Sequence, residues 1–126
     1  MLLNTFFEVI EQSANKTEKN TTLLAKIKLN KDHSIFQGHF PGMPLVPGVC
    51  MTQIIKELLE GELGTPLFFT SGSNIKFLSI INPEKNSNLK VEIIYTVDAG
   101  NYLVDAKLYN CETIFFKLRG TFSERL

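Results

Sequence analysis

Apolar positions along this chain change their spacing twice, and each change marks a new kind of element. Residues 22–29, TLLAKIKL, alternate: Leu23, Ala25, Ile27 and Leu29 share one side, with Lys26 and Lys28 on the other. That period of two predicts a half-buried strand. Phe6 to Ile10 predicts a short strand before it, and the polar run SANKTEKNTT at 13–22 a loop or hairpin tip. From Val49 the period lengthens. Met51, Ile54, Ile55, Leu58 and Leu59 form a stripe at helical spacing, with Gln53, Lys56, Glu57 and Glu60 on the other side. Pro47-Gly48 precede this helix and Gly61 supplies its stop. Period two then returns. Strands are predicted from Asn74 to Ile81, from Leu89 to Val97, from Tyr102 to Tyr109 and from Thr113 to Phe122. NPEKNSN, DAGN at 98–101 and Asn110-Cys111 are the turns between them. A single helix with one apolar stripe needs a sheet to pack on. The expected class is α+β, an antiparallel sheet curled around one helix in a single domain over residues 1–126.

One segment obeys neither period. HSIFQGHFPGMPLVPG, from His33 to Gly48, holds three of the five prolines and three of the eight glycines. Proline lacks a donor N–H and glycine costs entropy inside regular elements, so an irregular segment is expected. Phe36, Phe40, Met43, Leu45 and Val46 make it apolar, hence packed rather than loose. A stiff apolar loop is a place where function concentrates.

Composition narrows the chemistry that such a loop can do. Thirteen Lys+Arg balance thirteen Asp+Glu, which argues against nucleic-acid binding by bulk phosphate neutralisation. No apolar run reaches the roughly 18–20 residues a membrane span needs, and MLLNTFFEVIEQ lacks the basic start of a signal peptide. Cys50 and Cys111 form no CxxC pair, and His33 and His39 are the two histidines, so no metal centre or disulfide framework is expected. The expectation is a reduced, soluble, cytoplasmic domain; if it is an enzyme that does acid–base chemistry with an imidazole, the candidates are His33 and His39. His33 follows Lys31-Asp32 in a polar turn and reads as a surface residue. His39 sits in the stiff loop that leads into the helix.

A helix start presents unpaired N–H groups and partial positive charge. Pro47 and Gly48 offer no side-chain cap, which leaves those donors to a ligand carbonyl or oxyanion. A base beside an oxyanion site is the requirement for abstracting a proton α to a thioester carbonyl.

The residues from Phe36 to Val49, F-x-G-H-F-P-G-x-P-x-x-P-G-V, resemble the signature of the 3-hydroxyacyl-[acyl-carrier-protein] dehydratases, a hotdog-fold family. The resemblance implies a hotdog domain that dehydrates (3R)-hydroxyacyl thioesters on acyl carrier protein to trans-2-enoyl thioesters, in fatty acid or polyketide-like synthesis. It implies His39 as catalytic base, Gly48 as the N–H that holds the thioester carbonyl, and Phe40 and Val49 as substrate contacts. It also implies a homodimer or higher homo-oligomer, with no metal and no cofactor. Lys117 and Arg119, on one face of the last strand, are a candidate docking point for the acidic carrier.

The family's helix acid stands fourteen positions after the His, and position 53 here is glutamine. The usual P-G-V-x-x-x-E-x-x-x-Q becomes P-G-V-C-M-T-Q-I-I-K-E, so Gln53 and Glu57 have exchanged places across one turn. An amide has no proton to give near neutral pH. Gln53 is then expected to orient water or the leaving hydroxyl, and Gln53→Glu to raise the rate if that position faces the leaving group. Three arrangements are open: His39 acting alone, Glu57 reaching the site through Gln53 or a water, or a weak subunit working beside an acidic partner. A hotdog thioesterase using Glu57 is a further alternative.

Overall fold

In the computed structural model, residues 2–38 and 45–125 are described. β1 (Phe7–Lys16) and β2 (Thr21–Leu29) form the first hairpin, and a single helical turn, α1 (Ile35–Gly38), follows. The long helix α2 (Gly48–Leu63) leads to β3 (Phe68–Phe77), and β4 (Asn88–Asp98), β5 (Asn101–Asn110) and β6 (Thr113–Ser123) complete the chain. All pairings between these strands are antiparallel. The strands make one six-stranded sheet in the order β1-β2-β4-β5-β6-β3, with β1 and β3 at its edges. The chain leaves β2, passes through α2, and returns at the opposite edge as β3. This is the hotdog arrangement, an antiparallel sheet around one helix.

The core is built by cross-strand rows. Ala25, Val91, Leu108, Phe116 and Phe77 stand opposite one another from β2 to β3, and Leu23, Ile93, Ala106, Leu118 and Ile75 form the next row. Paired residues share a face, so the rows present one apolar surface. Ile54, Ile55 and Leu59 of α2 are fully buried with it, each worth about 1.5–3 kcal/mol of transfer free energy. Both rows end at β3 in the open: Phe77 is 61% exposed and Ile75 39%.

Several element boundaries differ from the sequence reading. The polar run at 13–16 is strand, because Ser13 to Lys16 pair with Leu24 to Thr21 at the sheet edge, where polar side chains meet water. The helix passes Gly61 and stops at Gly64, whose φ of 71° and N–H to Glu60 O bond of 2.8 Å form the cap. β3 begins at Phe68, six residues before its expected start, and ends at Phe77. Register shifts at Phe69/Ser71 and Gly72/Asn74 break its alternation, which hides it from a period-two reading. The irregular segment contains one helical turn, α1. The hairpin at 98–101 is as expected: Ala99 and Gly100 both take positive φ, as a two-residue type I′ turn requires. No helix among the described residues is long and apolar enough to cross a membrane.

Candidate active site at the start of the long helix

α2 begins at Gly48, with extended Pro47 before it and no side-chain cap. The first N–H groups of a helix have no acceptor inside it. The Val46 N–H donates to Ile81 O at 3.0 Å, which ties the approach to α2 onto the segment after β3. Gly48 is closely packed. A Cβ there would stand 2.6 Å from Cε1 of Phe77, so a larger residue would push that exposed ring away from the helix start. Phe77 also packs on Phe116, with ring centroids 5.1 Å apart. Val49, the next residue, is 78% exposed. The helix start is thus flanked by uncovered apolar surface at the open β3 edge, the environment expected of a site closed by a further chain or by ligand.

One face of α2 runs Val49, Gln53, Glu57, each four residues on. Polarity along it rises as exposure falls. Gln53 is half-buried, and Glu57 is 4% exposed. The Glu57 carboxylate is surrounded by donors. The Leu2 N–H donates to Oε1 at 2.9 Å and to Oε2 at 2.8 Å, the Leu3 N–H to Oε1 at 2.8 Å, and the Gln53 amide to Oε2 at 2.8 Å. The sequence reading placed Glu57 opposite the apolar stripe, with Gln53, Lys56 and Glu60. It is instead buried under the N-terminal segment, because backbone N–H groups far away in sequence satisfy it. Glu60 is likewise engaged, accepting the Leu67 N–H at 2.8 Å. Both Glu57 and Glu60 are therefore engaged by backbone N–H groups distant along the chain or beyond the helix end.

His33 also departs from the surface role expected of it. Its ring is half-buried, stands edge-on to Phe6 with centroids 5.5 Å apart, and accepts the Ile35 N–H through Nδ1 at 3.0 Å. It fixes the start of α1 rather than facing a substrate. Cys50 is buried, as expected, and that burial raises its thiol above the ordinary 9.0. Arg119 is paired with Asp105 at 3.2 Å, and Lys117 is exposed on the same strand. Of the expected site residues, His39 and Phe40 lie outside the described residues. Gly48, Val49 and Gln53 are brought onto one end of α2. The N-terminal segment at Leu2 and Leu3 is the part that sequence reasoning missed. Backbone donors carry no side-chain signal, and no residue type there points to Glu57.

A groove of about 540 Å³ runs past Asn4, Lys28, Asp32 and Glu84, and another of 550 Å³ past Gln12, Lys26, Lys90 and Tyr109. Neither includes Gly48, Val49 or Gln53. The described residues hold no cluster of three or more metal-ligating side chains.

The sheet, the central helix and the uncapped helix start at its open edge define a hotdog domain. Residues 14–109 match the ApeI-like family, described as ApeI dehydratase, and the chain belongs to that family. Among curated relatives, the 3-hydroxyacyl-[acyl-carrier-protein] dehydratase FabZ of Syntrophobacter fumaroxidans is 25% identical over 70% of this chain and 64% of its own length. The FabZ of Bacillus subtilis is 29% identical over 75% of this chain and 66% of its own. The chain thus spans just under two thirds of these relatives. An uncharacterized protein from Erwinia carotovora subsp. atroseptica superposes with a TM-score of 0.70 at 22% identity, covering 91% of this chain and 92% of that one. The dehydratase heterocomplex ApeI:P from Xenorhabdus doucetiae contains a chain that superposes with a TM-score of 0.69 at 18% identity, covering 91% and 96%. Both share the hotdog fold.

Proposed function

We propose that this chain is a subunit of a dehydratase that converts (3R)-hydroxyacyl thioesters on acyl carrier protein to trans-2-enoyl thioesters, in fatty acid or polyketide-like synthesis. The observation that carries the reading is the uncapped start of α2. Gly48 is held open to a Phe77 ring, Val49 is exposed beside it, and the motif G-H-F-P-G leads into it. In this mechanism His39 removes the C2 proton of the bound thioester. Negative charge gathers on the carbonyl oxygen, where the Gly48 N–H and the helix start stabilise it. The electron pair closes the C2–C3 double bond as the C3 hydroxyl leaves. His39 returns its proton to that hydroxyl, and water departs. Gln53 holds the hydroxyl or a water in line, and Phe40 and Val49 line the acyl chain.

The site is shared between two copies. The core-facing rows that surface at Ile75 and Phe77, with Leu78 and Ile80 beyond them, leave apolar residues uncovered along the β3 edge. A second chain packed there would cover them and complete a tunnel for the acyl chain.

The test supplies the purified protein with a 3-hydroxyacyl thioester and follows the enoyl product. His39→Ala should lower kcat by about 100-fold or more. Equal rates in wild type and variant would sink the reading. A second reading is favoured by the amide at position 53. In it the chain is a weak subunit that binds acyl chains or carrier protein beside an active partner. A homodimer that turns over substrate by itself rejects that alternative. A thioesterase using Glu57 is disfavoured by the same hydrogen bonds that bury this carboxylate.

A further inference from the structure

We infer that Glu57 is a positioning residue that locks the amide of Gln53 with its oxygen turned toward the substrate. The inference rests on the dehydratase reading proposed above. A carboxylate oxygen accepts hydrogen bonds and does not donate them. The atom of Gln53 that lies 2.8 Å from Glu57 Oε2 must therefore be the amide nitrogen, and the lone pairs at the other end of the amide point away. The same carboxylate is pinned by the Leu2 and Leu3 N–H groups, so it cannot swing to release the amide. Glu57 itself is buried, bonded to that segment, two helical turns beyond Val49.

The consequence is a definite polarity at position 53. Gln53 accepts a hydrogen bond from the C3 hydroxyl of the substrate, or from a water, and donates none to it. It can aim the hydroxyl, but the proton that accompanies the departing oxygen comes from His39. The exchange of Gln and Glu across one turn thus keeps an amide–carboxylate pair and changes which member faces the substrate. It also makes the N-terminal segment part of the site, since Leu2 and Leu3 fix the carboxylate that fixes the amide.

Glu57→Gln tests this with little change of shape. The carbonyl of the new amide can take the Leu2 and Leu3 donors, its NH2 then faces Gln53, and the Gln53 amide must turn over. On the 3-hydroxyacyl thioester, Glu57→Gln should lower kcat by about tenfold with KM within about twofold. Gln53→Ala should lower kcat by a similar factor, and the double variant should be no worse than Gln53→Ala alone. Losses that multiply in the double variant would overturn the inference, because a merely structural Glu57 acts independently of the side chain at 53. A readout that needs no turnover is the side-chain amide of Gln53 in the wild-type protein, followed by NMR and assigned by its loss in Gln53→Ala. One of its two protons should be protected from solvent exchange; two rapidly exchanging protons would refute the lock. An inert wild type with a protected Gln53 proton would discard the dehydratase reading and keep the lock between Glu57 and Gln53.

Discussion

At the scale of single residues, Glu57 carries the largest difference between spacing and structure. Helical spacing assigns it to the solvated side of α2, yet it is almost fully buried and accepts bonds from Leu2, Leu3 and Gln53. This reverses the expectation for Gln53→Glu. Alone, that change sets a second carboxylate where the amide now makes a 2.8 Å contact with Glu57. Two carboxylates so close cannot both stay ionised without cost. The expected outcome is a lower Tm and no gain in turnover. Adding Glu57→Gln restores one acid and one amide in the order usual for the family. The paired variant should recover Tm and exceed the single variant in kcat by about tenfold or more. A single Gln53→Glu protein faster than wild type and equally stable would contradict this account. Gly48 shows the opposite case. Its place in the motif marks it from sequence, and the Phe77 ring 2.6 Å from a built Cβ adds a packing reason for it.

At the scale of elements, period decides what can be read. β2 and β4 lie well inside the sheet, face water on one side, and alternate without interruption, so their buried residues are legible from sequence. β3 is an edge strand with two register shifts, and its expected start at Asn74 misses the half beginning at Phe68. Between the two shifts Gly72 stands opposite Gly120, where the strands approach closely. A Cβ at Gly120 would collide with Ser71 O and lie 2.7 Å from Cε1 of Phe69. The first of these is backbone and cannot step aside. Gly120→Ala should therefore destabilise the protein by about 2 kcal/mol or more, seen as a fall in the denaturant midpoint. An unchanged midpoint would mean that β3 moves freely away from β6. The helix end misled for a simpler reason. Gly61 lies within α2 with nothing near its missing Cβ, while the left-handed cap falls on Gly64.

At the scale of the whole molecule, the open β3 edge sets the expectation for assembly. A sheet whose core-facing rows surface as Phe77 and Ile75 has apolar area to cover. The proposed occupant is a second copy of this chain. Sedimentation should give a dimer for the wild-type protein. Phe77→Glu should shift it toward monomer and lower turnover, since the helix start beneath that ring would lose its cover. A Phe77→Glu dimer as tight as wild type would place the interface elsewhere.

The sequence by itself determined the class of fold, the central helix and its uncapped start. These follow from local rules: apolar period, turn residues, and a proline–glycine loop that keeps a helix uncapped. Its motif singled out Gly48, Val49 and Gln53 as the proposed site, with His39 and Phe40 as the proposed base and acyl contact. Tertiary structure alone decided that Glu57 is buried, that Gln53 turns its nitrogen inward, that His33 props α1, and that the N-terminal segment supports the site. Each of these depends on a partner distant in sequence or on a backbone N–H. Neither leaves a trace in spacing or composition, because a hydrogen-bond donor common to nearly every residue becomes specific only when the chain brings it to one carboxylate.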